Sequence, residues 1–202
     1  DGQVKPILED SDGMVWIGTD GGGLYSLNPA TAVFIKYMYN PLDNNSVSHN
    51  TISTIYEDHK GGIWIGTSGG GINLFDKKSK KFKRYSSKNG LVDDNIVSIF
   101  EDKKNNLWIA TIKGLSKFNP ETEKSINYSN IDGLPTSAFN RDAYYTGNDG
   151  MIYLGSSDGL LIFSPDSLRE NNIPPPLIVC IFYILHYIIF TLFDKTPPKI
   201  PP

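Results

Sequence analysis

The phrase Trp16-Ile17-Gly18-Thr19 returns as Trp64-Ile65-Gly66-Thr67, Trp108-Ile109-Ala110-Thr111 and Tyr153-Leu154-Gly155-Ser156, at intervals of 48, 44 and 45 residues. A period of about 40 to 50 residues is that of a small four-stranded antiparallel sheet, the blade of a β-propeller. Such a sheet cannot bury both its faces alone, so successive copies must stack on one another.

The second copy shows what each position does. Ile52 to Tyr56 is a β-branched and aromatic run, and Glu57-Asp58-His59-Lys60-Gly61-Gly62 is a polar turn with a glycine free to take positive φ. Ile63 to Thr67 is expected as the second strand, Gly71 to Phe75 as the third and Phe82 to Tyr85 as the fourth, joined by Ser68-Gly69-Gly70 and by Asp76 to Lys81. The residue before the aromatic strand is Gly13, Gly61, Asn105 and Gly150 in the four copies. Asparagine is the non-glycine residue that most readily accepts a left-handed conformation, so this pattern reports backbone geometry. The fold class that follows is all-β: a β-propeller fragment of about four four-stranded antiparallel blades over residues 1–170.

Several motifs invite a chemical reading that their setting does not support. Glu-Asp recurs as Glu9-Asp10, Glu57-Asp58 and Glu101-Asp102, with Thr146-Gly147 in the fourth copy. An aspartate opening a turn accepts backbone N–H bonds, and that structural role is the one expected here. The triplets Gly21 to Gly23 and Gly69 to Gly71 join two strands and lack the Gly-Lys-Ser/Thr of a phosphate loop, so they are expected to be hairpin turns. The basic run Lys77 to Arg84 falls on a hairpin and its following strand, where a solvated turn accounts for it. A net charge of −3 gives no nucleic-acid footprint. Cys180 stands alone, excluding an internal disulfide and a cysteine zinc site; neither metal nor other cofactor is expected.

The repeat resembles that of the two-component regulator propeller family: a Glu-Asp turn, a glycine, Trp-Ile-Gly-Thr, a Gly-Gly step and a Phe-Asp ending. Here these are Glu57, Asp58, Gly61, Trp64 to Thr67, Gly70, Gly71, Phe75 and Asp76. The passages Asn89 to Ile96 and Asp132 to Ser137 resemble the family's Asn-Gly-Leu-Pro linkers, and the likeness extends over residues 3 to 176. Sialidase-type Asp boxes and Trp-Asp repeats do not fit the same residues.

The resemblance implies a fragment of the periplasmic sensor region of a Bacteroidetes hybrid two-component regulator. Such a region binds oligosaccharides without cleaving them and passes a signal to a histidine kinase that lies outside this chain. Its implied partners are a sugar ligand, the remaining blades and downstream domains of a dimeric parent, and no nucleic acid. An enzyme of the streptogramin-lyase class is the alternative, with His49 and His59 the histidines available in the blades. A non-catalytic protein-interaction scaffold is the other.

Repeated residues are best explained by repeated structure, so Trp16, Trp64, Trp108 and Tyr153 are expected in the core and His59 in an exposed turn. Candidate ligand contacts are residues that break the pattern. Arg141, Tyr144 and Tyr145 lie where earlier copies are plainly apolar or small, with Arg141 readable either as a structural clamp or as a ligand contact. Beyond the blades, residues 171–202 comprise a Pro-rich linker and an apolar tail. Its stretch Leu177 to Phe193 reads as the opening strand of the family's immunoglobulin-like domain, as a membrane segment or as an aberrant C-terminus.

Overall fold

The computed structural model describes residues 2–129, 134, 138–147 and 149–165, and of Asp142 the backbone alone. The expectations for residues 171–202, for Cys180, for most of the Asp132 to Ser137 linker and for the Asp142 side chain lie outside the described residues.

Four antiparallel meanders follow one another along the chain. The first sheet is β1 (Val4–Glu9), β2 (Val15–Thr19), β3 (Leu24–Asn28) and β4 (Val33–Tyr37), in that spatial order. The second is β5 (Ile52–Glu57), β6 (Ile63–Thr67), β7 (Ile72–Asp76) and β8 (Lys81–Tyr85), and the third β9 (Ile96–Glu101), β10 (Leu107–Thr111), β11 (Gly114–Asn119) and β12 (Lys124–Tyr128). The fourth has three described strands, β13 (Phe139–Thr146), β14 (Ile152–Ser156) and β15 (Gly159–Phe163). Adjacent sheets meet through their first strands, β1 beside β5, β5 beside β9 and β9 beside β13, so these strands form the inner edge of a four-bladed propeller arrangement. Pro6 sits on this edge at a bulge between Val4 and Ile7, where its missing N–H removes no ladder bond.

The repeated turn adopts the geometry its residues allow. Gly13, Gly61, Asn105 and Gly150 have φ of 75°, 76°, 63° and 86°, so asparagine replaces glycine at a left-handed position. The triplets Gly21 to Gly23 and Gly69 to Gly71 join β2 to β3 and β6 to β7, as hairpins. In all four blades the hairpin that follows the aromatic phrase is closed by the last residue of that phrase. Thr19, Thr67, Thr111 and Ser156 donate their hydroxyls to the carbonyls of Gly23, Gly71, Gly114 and Gly159 at 2.7, 2.9, 2.9 and 3.0 Å. The repeat needs a hydroxyl at this position, which is why serine can replace threonine.

Three apolar seams hold the sheets together. Each tryptophan packs edge-on or tilted against a phenylalanine of the following blade: Trp16 with Phe75 at 4.9 Å, Trp64 with Phe118 at 5.8 Å and Trp108 with Phe163 at 5.2 Å between centroids. On its own blade each meets the tyrosine that ends the fourth strand, namely Tyr37, Tyr85 and Tyr128. The expected core role of the three tryptophans is therefore realised, whereas Tyr153 is only half-buried. Gly66 in the aromatic phrase is required by proximity. A Cβ there would lie 2.5 Å from the Thr54 methyl and 2.7 Å from Ile96 of the next blade.

Candidate functional site

The two ends of the blades carry different chemistry. At one end lie the Glu-Asp turns, whose aspartates do what an aspartate opening a turn is expected to do. Asp10 Oδ1 accepts the N–H groups of Asp12 and Met14 at 3.0 and 2.9 Å, and its Oδ2 accepts Trp16 Nε1 at 2.8 Å. Trp64 Nε1 donates likewise to Asp58 at 2.7 Å and Trp108 Nε1 to Asp102 at 2.9 Å. Burial pushes the Asp10 carboxyl up, but the bonds from Trp16 and Met14 and the charge of Lys77 outweigh it and hold it below the usual carboxylate range. In the fourth copy aspartate and tryptophan are lost together, as Gly147 and Tyr153, while the turn keeps its backbone bonds from Gly147 N–H to the Met151 carbonyl and from Gly150 N–H to the Gly147 carbonyl.

The glutamates of the same motif join neighbouring blades. Ser11 donates its N–H and hydroxyl to Glu57 at 2.8 and 2.6 Å, and His59 uses its N–H at 2.9 Å and ring Nδ1 at 2.5 Å on Glu101. His59 is thus a clasp residue as well as a turn residue, a partnership that sequence reasoning did not find.

The basic run forms the β7–β8 turn and β8, as expected, beside a groove of about 1140 Å³. Three of its cations hold partners outside the run. Lys77 reaches Asp12 at 2.6 Å, Lys83 pairs with Glu123, and Arg84 donates to the carbonyls of Ser46 and Asp43 at 2.8 and 2.7 Å. Arg84 thereby fixes the long connection between the first two blades.

At the opposite end, polar groups from three blades gather at the inner edge. Lys5 pairs with Asp20 at 2.6 Å, Thr51 Oγ1 donates to the same carboxylate at 3.2 Å, and Arg141 Nη2 donates to Ser68 Oγ at 2.7 Å. The hydrogen bond and charge of Lys5 hold Asp20 low, with smaller help from Thr51 and Arg141. A backbone irregularity brings Arg141 here. β13 pairs with β14 at Phe139↔Ser156 and next at Tyr144↔Leu154, so four residues of β13 face Gly155 alone. The corresponding irregularity in β1 sets only Lys5 and Pro6 against Gly18. A wider bulge re-aims the side chains it carries.

The three candidate contacts do not converge. Arg141 lies at this mouth and donates from the fourth blade to Ser68 of the second. Tyr144 is farther along β13, near enough to Tyr56 to contribute to its raised pKa. Tyr145 is exposed and rests on Tyr153 of its own blade at 5.8 Å between centroids. Lys5, Asp20, Thr51 and Ser68 were missed, because only their placement beside Arg141 distinguishes them.

Comparison with known proteins agrees with this architecture. The family model described as two component regulator propeller matches residues 1–21, 46–69 and 90–113, around the first three aromatic phrases. The chain is 29% identical over 184 residues to histidine kinase P4 of Formosa agariphila, spanning 90% of this chain and 13% of that protein. Its fold is similar to the extracellular domain of a hybrid two component system from B. thetaiotaomicron, with TM-score 0.71 and 32% identity over 81% of this chain and 22% of that one. Virginiamycin B lyase of Staphylococcus aureus shares the fold alone, with TM-score 0.64 and 15% identity over 82% of this chain and 54% of the lyase. The chain folds as β-propeller blades, and the repeats around its first three aromatic phrases match the two component regulator propeller model.

Proposed function

We propose that these blades belong to the periplasmic sensor region of a hybrid two-component regulator and help to bind an oligosaccharide that they do not cleave. The observation that carries this reading is the widened bulge of β13, which sets Arg141 beside Ser68 and within the field of Asp20, so that polar groups of the first, second and fourth blades share one mouth. Convergent donors and acceptors at a mouth suit sugar hydroxyls.

The ionisable groups nearby favour binding over proton transfer. Asp20 is held in its charged form by Lys5, which makes it a poor general base or acid near neutrality. His49 Nδ1 accepts the Thr51 N–H at 3.0 Å, and His59 is tied to Glu101 at the other end.

The reading also implies a further blade against the first one. Val4, Ile7 and Phe34 are 51%, 63% and 61% exposed, whereas the same positions of the second blade, Ile52, Ile55 and Phe82, are 0%, 7% and 4% exposed against blade one.

Calorimetric titration of the whole sensor region with a panel of oligosaccharides, with product analysis of the same mixtures, tests the proposal. Binding without turnover, weakened at least tenfold by Arg141→Ala, is expected. Turnover of a glycan would replace sensing by lyase or hydrolase chemistry, and protein ligands with no sugar binding would support the scaffold reading.

A further inference from the structure

The clasp between blades is interrupted once. Ser11 and His59 each donate a backbone N–H to a glutamate of the next blade, Glu57 and Glu101. Lys103 holds the same turn position in the third blade, and the residue of the fourth blade that corresponds to those glutamates is Thr146. Among the described residues, neither the Lys103 N–H nor its ammonium has a hydrogen-bond or ion-pair partner. At this junction lies a cavity of about 180 Å³ bordered by Lys103, Thr146, Gly147, Gly150, Ile152 and Pro165. Since a water occupies about 30 Å³ of liquid, the space accommodates a group the size of a glutamate side chain. The Lys103 side chain arches over its rim, its Cε and Nζ each 3.2 Å from where a Cβ on Gly150 would stand. Glu101 and Asp102 also border the cavity, but His59 engages the first carboxylate and Trp108 and Asn106 the second.

We infer that this slot binds a short-chain carboxylate, with propionate as the smallest complete mimic of the glutamate side chain found at the other two junctions. The carboxylate accepts the Lys103 N–H as Glu57 accepts that of Ser11, with the Lys103 ammonium in place of the Ser11 hydroxyl. The aliphatic carbons lie against Ile152 and Pro165. A charge-assisted bond at a partly enclosed site gives selectivity for carboxylate over chloride because two oxygens can be met at once. The site lies at the end of the blades opposite the proposed sugar mouth and is independent of it.

Thermal unfolding of the chain in sodium propionate and in sodium chloride at matched ionic strength tests this, together with amide NMR and the variant Thr146→Glu. Propionate is expected to raise Tm above chloride and to shift the Lys103 amide. Thr146→Glu is expected to raise Tm in chloride, because its own carboxylate fills the slot, and to abolish the propionate-specific gain. Lys103→Ala, which keeps the N–H, is expected to weaken the propionate effect several-fold and serves if Thr146→Glu fails to fold. An equal gain from propionate in wild type and both variants, or an unmoved Lys103 amide, overturns the assignment.

Discussion

Ser11 and Glu57, separated by 46 residues in sequence, are joined by two hydrogen bonds of 2.8 and 2.6 Å across the seam between the first and second blades. Both bonds end on one carboxylate, so Glu57→Ala removes both and leaves the Ser11 N–H to water. A loss of about 1–2 kcal/mol is expected from hydrogen bonds to a charged acceptor at a partly exposed site. Urea unfolding of Glu57→Ala, Ser11→Ala and the double variant checks it. The hydroxyl's share appears as a coupling between the two substitutions, and additive effects would show that Ser11 Oγ contributes nothing through Glu57.

Trp64 fills the seam between the second and third blades and carries the bond that satisfies Asp58. Trp64→Ala should cost about 3–5 kcal/mol through lost burial and the cavity left behind. Trp64→Phe keeps much of the packing but strips the donor from Asp58 Oδ2, and about 1–3 kcal/mol is expected for that unpaired acceptor. Denaturant unfolding of the two variants separates the terms. A Phe variant as stable as wild type would mean that water reaches the carboxylate.

The repeat made the strands, the turn conformation and the tryptophan core legible, because each copy obeys the same local rule. Asn105 in a left-handed turn and the hydroxyl of Ser156 in place of threonine were readable for that reason. The partner of each glutamate was not. Glu57 and Glu101 recur with Asp58 and Asp102 and look like one motif, yet the aspartates act within their own turns and the glutamates act on the previous blade. Sequence position cannot assign a partner across a seam until the stacking order is known. The same limit applied at the mouth. Arg141 stood out by breaking the pattern, but the number of residues in the β13 bulge separates it from Tyr144 and Tyr145, and pairing alone reveals that number.

Stability should fall at both ends of the pH range, for different groups. Asp10 and Asp93 are pushed up by burial but lowered further by their partners, Trp16, Met14 and Lys77 for the first and Lys113 and Asn95 for the second. A carboxyl whose folded pKa is depressed contributes stability that is present above the ordinary value near 4 and lost as pH falls through the folded one. Tyr56 is shifted the other way, raised to about 12 by burial and by the Glu101 charge. Its contribution is fully present below the ordinary tyrosine value near 10 and is lost as pH rises toward 12. Unfolding measured across pH should therefore show an acid limb reduced in Asp10→Asn and an alkaline limb reduced in Tyr56→Phe. An alkaline limb unchanged in Tyr56→Phe would assign that limb to other groups.

The first blade provides the last prediction. Ile7 and Ile55 occupy the same position of successive inner strands, but Ile55 is buried against blade one and Ile7 is exposed. Phe34 and Phe82 differ in the same way. The exposed pair, with Val4, makes an apolar surface already shaped to receive a blade, and such a surface on an isolated chain promotes association. The chain alone should therefore self-associate with rising concentration, and Ile7→Lys with Phe34→Lys should suppress this while changing stability by no more than about 0.5 kcal/mol, as for exposed positions. Ile55→Lys, the same change at a covered position, should destabilise by several kcal/mol, on the order of an unpaired buried charge. Sedimentation velocity and urea unfolding measure the two effects. In a longer polypeptide whose preceding blade covers this face, Ile7→Lys should become as damaging as Ile55→Lys. If it stayed neutral there, the first blade would have no such neighbour, and the proposed further blade would have to be given up.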